Sequence, residues 1–191
     1  YKDIEDVTWQ YKTKLNFKSN GNERVYFVSH GIDYFSSLSL NGKELLRHEG
    51  MFSDVEYDLT DILTGDDELC VTIYPHPKRE NAPKDTRDEA DTSVKPPVCY
   101  GWDWHPRILY SGIWQETYIE TRTTGFIKDV QIHYTLSDDF TTAKCNFDVL
   151  CEEETKVEIF DKQGSLVYSG DGKDFEIKDV DLWWCNGHGE P

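Results

Sequence analysis

The chain has 191 residues, of which 37% are hydrophobic and 14% aromatic, enough for one large or two small domains with real cores. Its 37 acidic residues against 20 basic ones give a formal charge of −17. That balance argues against nucleic acid or an anionic membrane as partner, because neutralising phosphates takes clustered Lys and Arg; the excess acid reads as a solvated, solubilising surface.

No apolar run approaches the roughly 20 residues that a membrane-crossing helix needs. The sequence opens on Tyr1 with neither Met nor a signal-like segment, so the expectation is a processed or cut terminus. Strand signals follow at once. Trp9, Tyr11, Thr13, Leu15 and Phe17 alternate with polar residues, which predicts a strand with one apolar face. The stretch 24–29 is apolar on both faces and predicts a central strand. Residues 34–40 and 44–48 flank Asn41-Gly42, a pair suited to a type I′ hairpin, whose two central residues both need positive φ. Further strands are expected at 55–59 and 68–74, with one helical turn between them over 58–65.

Residues 75–97 break the pattern. They hold Pro75, Pro77, Pro83, Pro96 and Pro97, five of the seven prolines, and show no periodicity. So long a loop within a compact domain is functional or disordered more often than not. Because it leads straight into an aromatic cluster, it is read as a binding-site loop. Alternation resumes over 113–121, and Arg122-Thr123-Thr124-Gly125 reads as a junction. Beyond it strands are expected at 126–136, 141–151, 155–160, 166–168 and 175–177, with a hairpin turn at Asp161-Lys162-Gln163-Gly164. Strands at this spacing without intervening helices indicate an all-β chain of sandwiches.

Metal and disulfide chemistry finds little support. Cys70, Cys99, Cys145, Cys151 and Cys185 are odd in number and lack C-x-x-C spacing. In one straight strand Cys145 and Cys151 stand roughly 20 Å apart, far beyond the roughly 7 Å limit for a disulfide. Buried free thiols are the expectation. The six histidines show neither H-x-H nor H-E-x-x-H spacing, and no loop carries calcium-ligand periodicity, so neither a metal nor a cofactor is expected.

The stretch that bears chemistry is Tyr100-Gly101-Trp102-Asp103-Trp104-His105-Pro106, running on to Ser111-Gly112-Ile113-Trp114. It packs three of the six tryptophans and one acid into fifteen residues. Indole faces cover the C–H faces of a sugar ring, and a carboxylate accepts hydrogen bonds from adjacent hydroxyls. Gly101 and Pro106 bracket the group with turn formers. The alternative is a strand on which Trp102 and Trp104 share a face in a core and Asp103 points to solvent.

Four segments together carry a family resemblance: 7–17 (VTWQYKTKLNF), 31–61, with its Leu-Asn-Gly hairpin, His-x-Gly-x-Phe run and Asp-x-Thr turn, 101–116 (GWDWHPRILYSGIWQE) and 182–191 (LWWCNGHGEP). They resemble glycoside hydrolase family 2, and the Trp-Asp-Trp run resembles its β-mannosidase branch. The resemblance spans almost the whole chain. It implies a jelly-roll, galactose-binding-like sandwich at 1–122, followed by a partial immunoglobulin-like sandwich at 123–191. The (β/α)₈ barrel that carries the family's two catalytic glutamates has no counterpart here. On this reading the jelly roll is truncated at its N-terminus and the second sandwich at its C-terminus, since roughly 70 residues stand where such a domain takes about 100. The chain is then a non-catalytic piece of a larger, retaining, exo-acting enzyme. Its partners would be a terminal β-linked sugar and the barrel of the parent chain, and its strand edges would be open to self-association. An extracytoplasmic location accompanies the resemblance.

Carried over residue by residue, the resemblance makes Trp102 and Asp103 substrate-binding. Trp102 would form a wall and Asp103 would hold hydroxyls remote from the reacting carbon. His105 and Arg107 are placed on the pocket rim. His105 stands where the family pattern has Gly, and Cys185 where it has Pro after the Trp-Trp pair. Trp104 is assigned to packing. Two readings stay open for Arg107, as a partner of Asp103 or as a surface cation. Three functions compete with a β-mannosidase fragment: the same scaffold with β-galactosidase or β-glucuronidase specificity, a stand-alone carbohydrate-binding module, and a structural adhesion-type sandwich.

Overall fold

The computed structural model describes residues 4–189. The chain divides into two compact units, 1–122 and 123–191. Among the described residues strands make up nearly all of the regular structure, and every pairing is antiparallel.

In the first unit, β1 (Trp9–Leu15), β7 (Asp67–Ile73), β4 (Phe35–Leu40) and β5 (Lys43–Glu49) form one sheet in that order. A second sheet runs β6 (Val55–Asp58), β2 (Arg24–Ser29), β9 (Thr117–Arg122), and β3 (Ile32–Asp33) pairs with β8 (Gly112–Ile113). Successive side chains on a strand point to opposite faces, so each sheet turns a row of apolar residues inward. Leu38 and Leu40 of β4 and Leu69, Val71 and Ile73 of β7 meet Val25 and Phe27 of β2 and Val55 of β6 in a single core. This is a β-sandwich, with β2 central in its sheet as its two-sided apolar character predicts.

Local chemistry fixes the turns. Asn41 and Gly42 sit at φ 52° and 78°, the conformation that a type I′ turn demands, and the hairpin β4–β5 closes on them. Asn41 also donates to Asp67 at 2.7 Å and accepts from the Glu68 N–H, tying the turn to β7. After β6, the Asp58 carboxylate accepts from the Thr60 N–H, and the Leu63 N–H reaches the Leu59 carbonyl at 3.2 Å, a single helical turn. β1 departs from expectation. Leu15 is buried, but Trp9 and Tyr11, on the same face, are each more than two-fifths exposed, because β1 is an edge strand whose apolar face meets the core only at its Leu15 end.

In the second unit β10 (Asp129–Leu136), β11 (Thr142–Leu150) and β14 (Phe175–Lys178) form one sheet, and β12 (Val157–Phe160) pairs with β13 (Leu166–Gly170). The two are joined by side chains: Tyr168 of β13 stacks on Phe175 of β14 with ring centroids 3.7 Å apart, over Ala143 and Cys145 of β11. The Asp161 carboxylate accepts from the N–H groups of Gln163 and Ser165 in the β12–β13 turn. Cys70, Cys99 and Cys145 are buried thiols, and burial pushes the Cys145 thiol up. Trp183 and Trp184 are exposed and lie outside any strand; residues 190 and 191 of that last segment fall outside the described residues.

Candidate functional site

The long connection from β7 to β8 is folded on itself. Tyr100, fully buried, donates its hydroxyl to the Pro77 carbonyl at 2.7 Å, and the Arg79 N–H reaches the Glu89 carbonyl at 2.9 Å. Two 3₁₀ turns, Arg87–Ala90 and Pro97–Tyr100, place Ala90, Cys99, Tyr100 and Leu109 in a small core of their own.

Charged side chains hold this segment as well. Arg107 is almost wholly buried. It meets Glu5 with two hydrogen bonds of 2.9 Å and Glu89 with bonds of 2.6 and 3.2 Å, and it also donates to the Tyr100 carbonyl. Such forked, charge-assisted contacts suit the planar guanidinium. Burial pushes the Glu5 carboxyl up, yet Arg107 and Lys78 together hold it below the usual range. A second buried group lies nearby in sequence. Lys95 pairs with Asp33 and donates to the Tyr110 carbonyl at 3.0 Å, and His76 shares that carbonyl at 2.8 Å. Lys95, Asp33 and the His76 ring are each within 1% of full burial. Burial, with Lys95 close by, lowers the His76 imidazole below its ordinary value.

Against this scaffold the Trp-Asp-Trp run forms a tight turn, not a strand. Reciprocal backbone bonds close it, from the Trp102 N–H to the His105 carbonyl at 3.0 Å and back at 3.3 Å. The turn begins at Gly101, whose φ of +123° few side chains tolerate. A Cβ there would meet the Asp85 carbonyl oxygen at 2.8 Å, so glycine lets the loop at 85 pack directly on the turn.

An open cleft of about 780 Å³ lies where the two segments meet, lined by Asp85, Thr86, Arg87, Trp102, Asp103 and His105 among others. Trp102 is half-buried, 5.0 Å from the Trp104 ring by centroid, with the Arg87 guanidinium 4.8 Å from its own centroid. Asp103 is exposed, and its carboxylate accepts from the Trp104 N–H at 3.1 Å. His105 is half-buried, and its Nδ1 has no hydrogen-bond partner among the described residues.

Two assignments made from the sequence are corrected here. Arg107 lines the cleft, but it is neither a partner of Asp103 nor a surface cation, because Glu5 and Glu89 claim its guanidinium. Trp104 is not a packing residue; it is 72% exposed, since the turn swings it outward. The third tryptophan of the run, Trp114, serves the sandwich: its Nε1 donates to the Met51 carbonyl at 2.8 Å, and Gly31 leaves room for its ring. Asp85, Thr86 and Arg87 were missed by the sequence reading. Their only signal was membership of a proline-rich loop running into the tryptophans, which marks the loop but not the residue.

Comparison with known proteins gives one consistent picture. Residues 1–115 match the family described as glycosyl hydrolase 2 galactose-binding domain-like. β-Mannosidase B of Aspergillus oryzae is 25% identical over 218 residues, covering 98% of this chain and 26% of that protein. β-Mannosidase B of Emericella nidulans is 23% identical, with 98% and 25% covered. The chain thus spans about a quarter of the length of the curated relatives it matches. Among solved structures, a β-D-mannosidase from Dictyoglomus thermophilum superposes with a TM-score of 0.70 at 24% identity, covering 98% of this chain and 26% of that one. A β-glucuronidase from an uncultured Clostridium superposes with a TM-score of 0.63 at 19% identity, over 91% and 30%. At those identities the structural likeness speaks to the fold.

Proposed function

Because this chain belongs to the glycosyl hydrolase 2 galactose-binding domain-like family, we propose that it is the non-catalytic N-terminal portion of a retaining, exo-acting glycosidase for terminal β-mannosides, and that its cleft forms part of the terminal-sugar pocket. The observation that carries this reading is the turn at Trp102–His105, which brings to one open cleft an indole and a carboxylate that forms no ion pair among the described residues. A sugar offers an apolar C–H face and a row of hydroxyls, and that pair complements both. The β-mannosidase relatives favour mannose over the galactose and glucuronate specificities that the scaffold also suits.

In this reading the chain positions and does not cleave. Hydrolysis with retention takes two carboxyl groups about 5 Å apart, one as nucleophile and one as acid and base. We place that pair in another part of the parent polypeptide. Contacts from this chain to hydroxyls away from the anomeric carbon would orient the ring and contribute binding energy to its distortion.

The test compares this chain with the full-length protein that contains it, on p-nitrophenyl β-mannoside, β-galactoside and β-glucuronide. We expect no turnover by the chain alone and a preference for the mannoside in the full-length protein. Turnover by the isolated chain that survives repurification, or a full-length protein inactive on all three, sinks the reading.

A further inference from the structure

The residue that the proposed function leaves unused is Arg87. It opens the 3₁₀ turn Arg87–Ala90, whose inner side is fixed: Glu89 is buried on Arg107, accepts from the Asp85 N–H at 2.7 Å, and is followed by the buried Ala90. That anchorage holds the exposed Arg87 over the Trp102 ring, at 4.8 Å.

Of the chain's six arginines, Arg24, Arg47, Arg79, Arg107 and Arg122 each engage a carboxylate; among the described residues Arg87 alone does not. Acids outnumber bases 37 to 20 here, so an arginine without a partner is not for want of carboxylates. Asp103 presents the same anomaly with the opposite sign. It lines the same cleft, forms no ion pair among the described residues, and accepts only from the Trp104 N–H. Two opposite charges share one cleft and do not neutralise each other. One is held back on an indole face, the other by a backbone N–H.

We propose that Arg87 and Asp103 form a donor–acceptor clamp on two adjacent hydroxyls of the terminal sugar. A hydroxyl donates one hydrogen bond and accepts others, so a diol between the two is satisfied in both senses: its O–H groups donate to the Asp103 carboxylate and its oxygens accept from the Arg87 fork. A neutral polyol is the class of ligand that needs both groups unpaired, and a simple anion would meet Asp103 as a repulsive neighbour. This inference rests on the reading that the cleft holds the terminal sugar, and it adds Arg87 as a specificity-determining residue of that pocket.

The experiment is a cycle between protein and substrate, run on the full-length protein. Steady-state kinetics are measured for the wild type, Arg87→Ala and Arg87→Lys on p-nitrophenyl β-mannoside and on its 2-, 3-, 4- and 6-deoxy analogues. Arg87→Ala should lower kcat/KM on the parent substrate by about ten- to a hundredfold, the loss expected of charge-assisted hydrogen bonds. At least one deoxy analogue that costs the wild type a similar factor should cost Arg87→Ala less than about threefold, because its partner is already gone. Arg87→Lys keeps the charge over Trp102 but loses the planar fork; it should fall between the two and serve in their place if the alanine variant folds poorly. Equal losses on every analogue would show that Arg87 acts only by holding Trp102, and a change within twofold would show no role; either overturns the clamp while the wild type still cleaves the mannoside. A wild type inactive on all three aryl glycosides removes the pocket and the clamp together.

Discussion

Asp103 is exposed and touches one backbone N–H, that of Trp104, so deleting its carboxylate removes little that the fold uses. Asp103→Ala in the full-length protein should therefore cost about ten- to a hundredfold in kcat/KM and leave the melting temperature nearly unchanged. Steady-state kinetics and thermal unfolding on the same preparation decide it; lost stability with intact efficiency would make Asp103 a turn residue. Lys95 predicts the opposite profile. It is fully buried against Asp33, and removing one partner leaves a buried charge uncompensated. Lys95→Met should cost about 3–5 kcal/mol in urea unfolding, and Asp33→Leu added to it should restore much of the loss, since the second change removes the orphaned carboxylate. The sequence disclosed these two residues unequally. Asp103 stands between two tryptophans and draws notice for its neighbours. Lys95 lies in a proline-rich stretch, and its partner is 62 residues away. Nothing in local spacing joins the two.

At the scale of elements, the strands were legible because period-two alternation and Asn-Gly or Asp-x-x-Gly turns are local signals. β2, β4, β5, β7 and β11 fall within a residue or two of where alternation places them. The connection from β7 to β8 was legible only as an interruption. Its order comes from Glu5, Glu89 and Arg107, three residues distant in sequence whose pairing no periodicity announces. Gly101 is the point where this segment bears on the turn. Gly101→Ala would set a Cβ 2.8 Å from the Asp85 carbonyl at φ +123°, whereas Gly42→Ala meets nothing within 4 Å and bears only the cost of φ +78°. The hairpin variant should lose about 1–2 kcal/mol with kcat/KM unchanged. The Gly101 variant should lose stability and also catalytic efficiency in the full-length protein, because Arg87 and Trp102 are pushed apart. Equal kinetics for the two variants would contradict that coupling.

For the molecule as a whole, two expectations follow. The first concerns pH. The folded chain holds the His76 pKa below the ordinary 6.5, so just beneath that pH the unfolded chain binds a proton that the folded chain refuses. Stability should be full above about pH 6.5 and decline as pH falls through the folded value. A second decline should set in below about pH 4.5, where Glu5, Asp58 and Asp67, all held low in the fold, take up protons. His76→Gln, which can still donate to the Tyr110 carbonyl, should flatten the first decline and spare the second in melting temperatures taken across pH. The second concerns β10, at the edge of its sheet. Val130, Ile132 and Tyr134 are 44, 58 and 65% exposed there. We expect the isolated chain to self-associate with rising concentration in sedimentation velocity, and Ile132→Lys to suppress it. A wild-type chain monomeric throughout would exclude that edge.

The cleft wall is borne on one continuous stretch between β7 and β8, which has a small core of its own and rejoins the sandwich through the short β3–β8 pairing. None of Arg87, Trp102 and Asp103 lies in a strand. In evolutionary terms the stretch is a cassette. If the cleft holds the terminal sugar as proposed, Arg87, Trp102 and Asp103 are the positions free to diverge, whereas Lys95 and Arg107, tied to Asp33 and Glu5 outside the stretch, must stay for the sandwich to keep its registers.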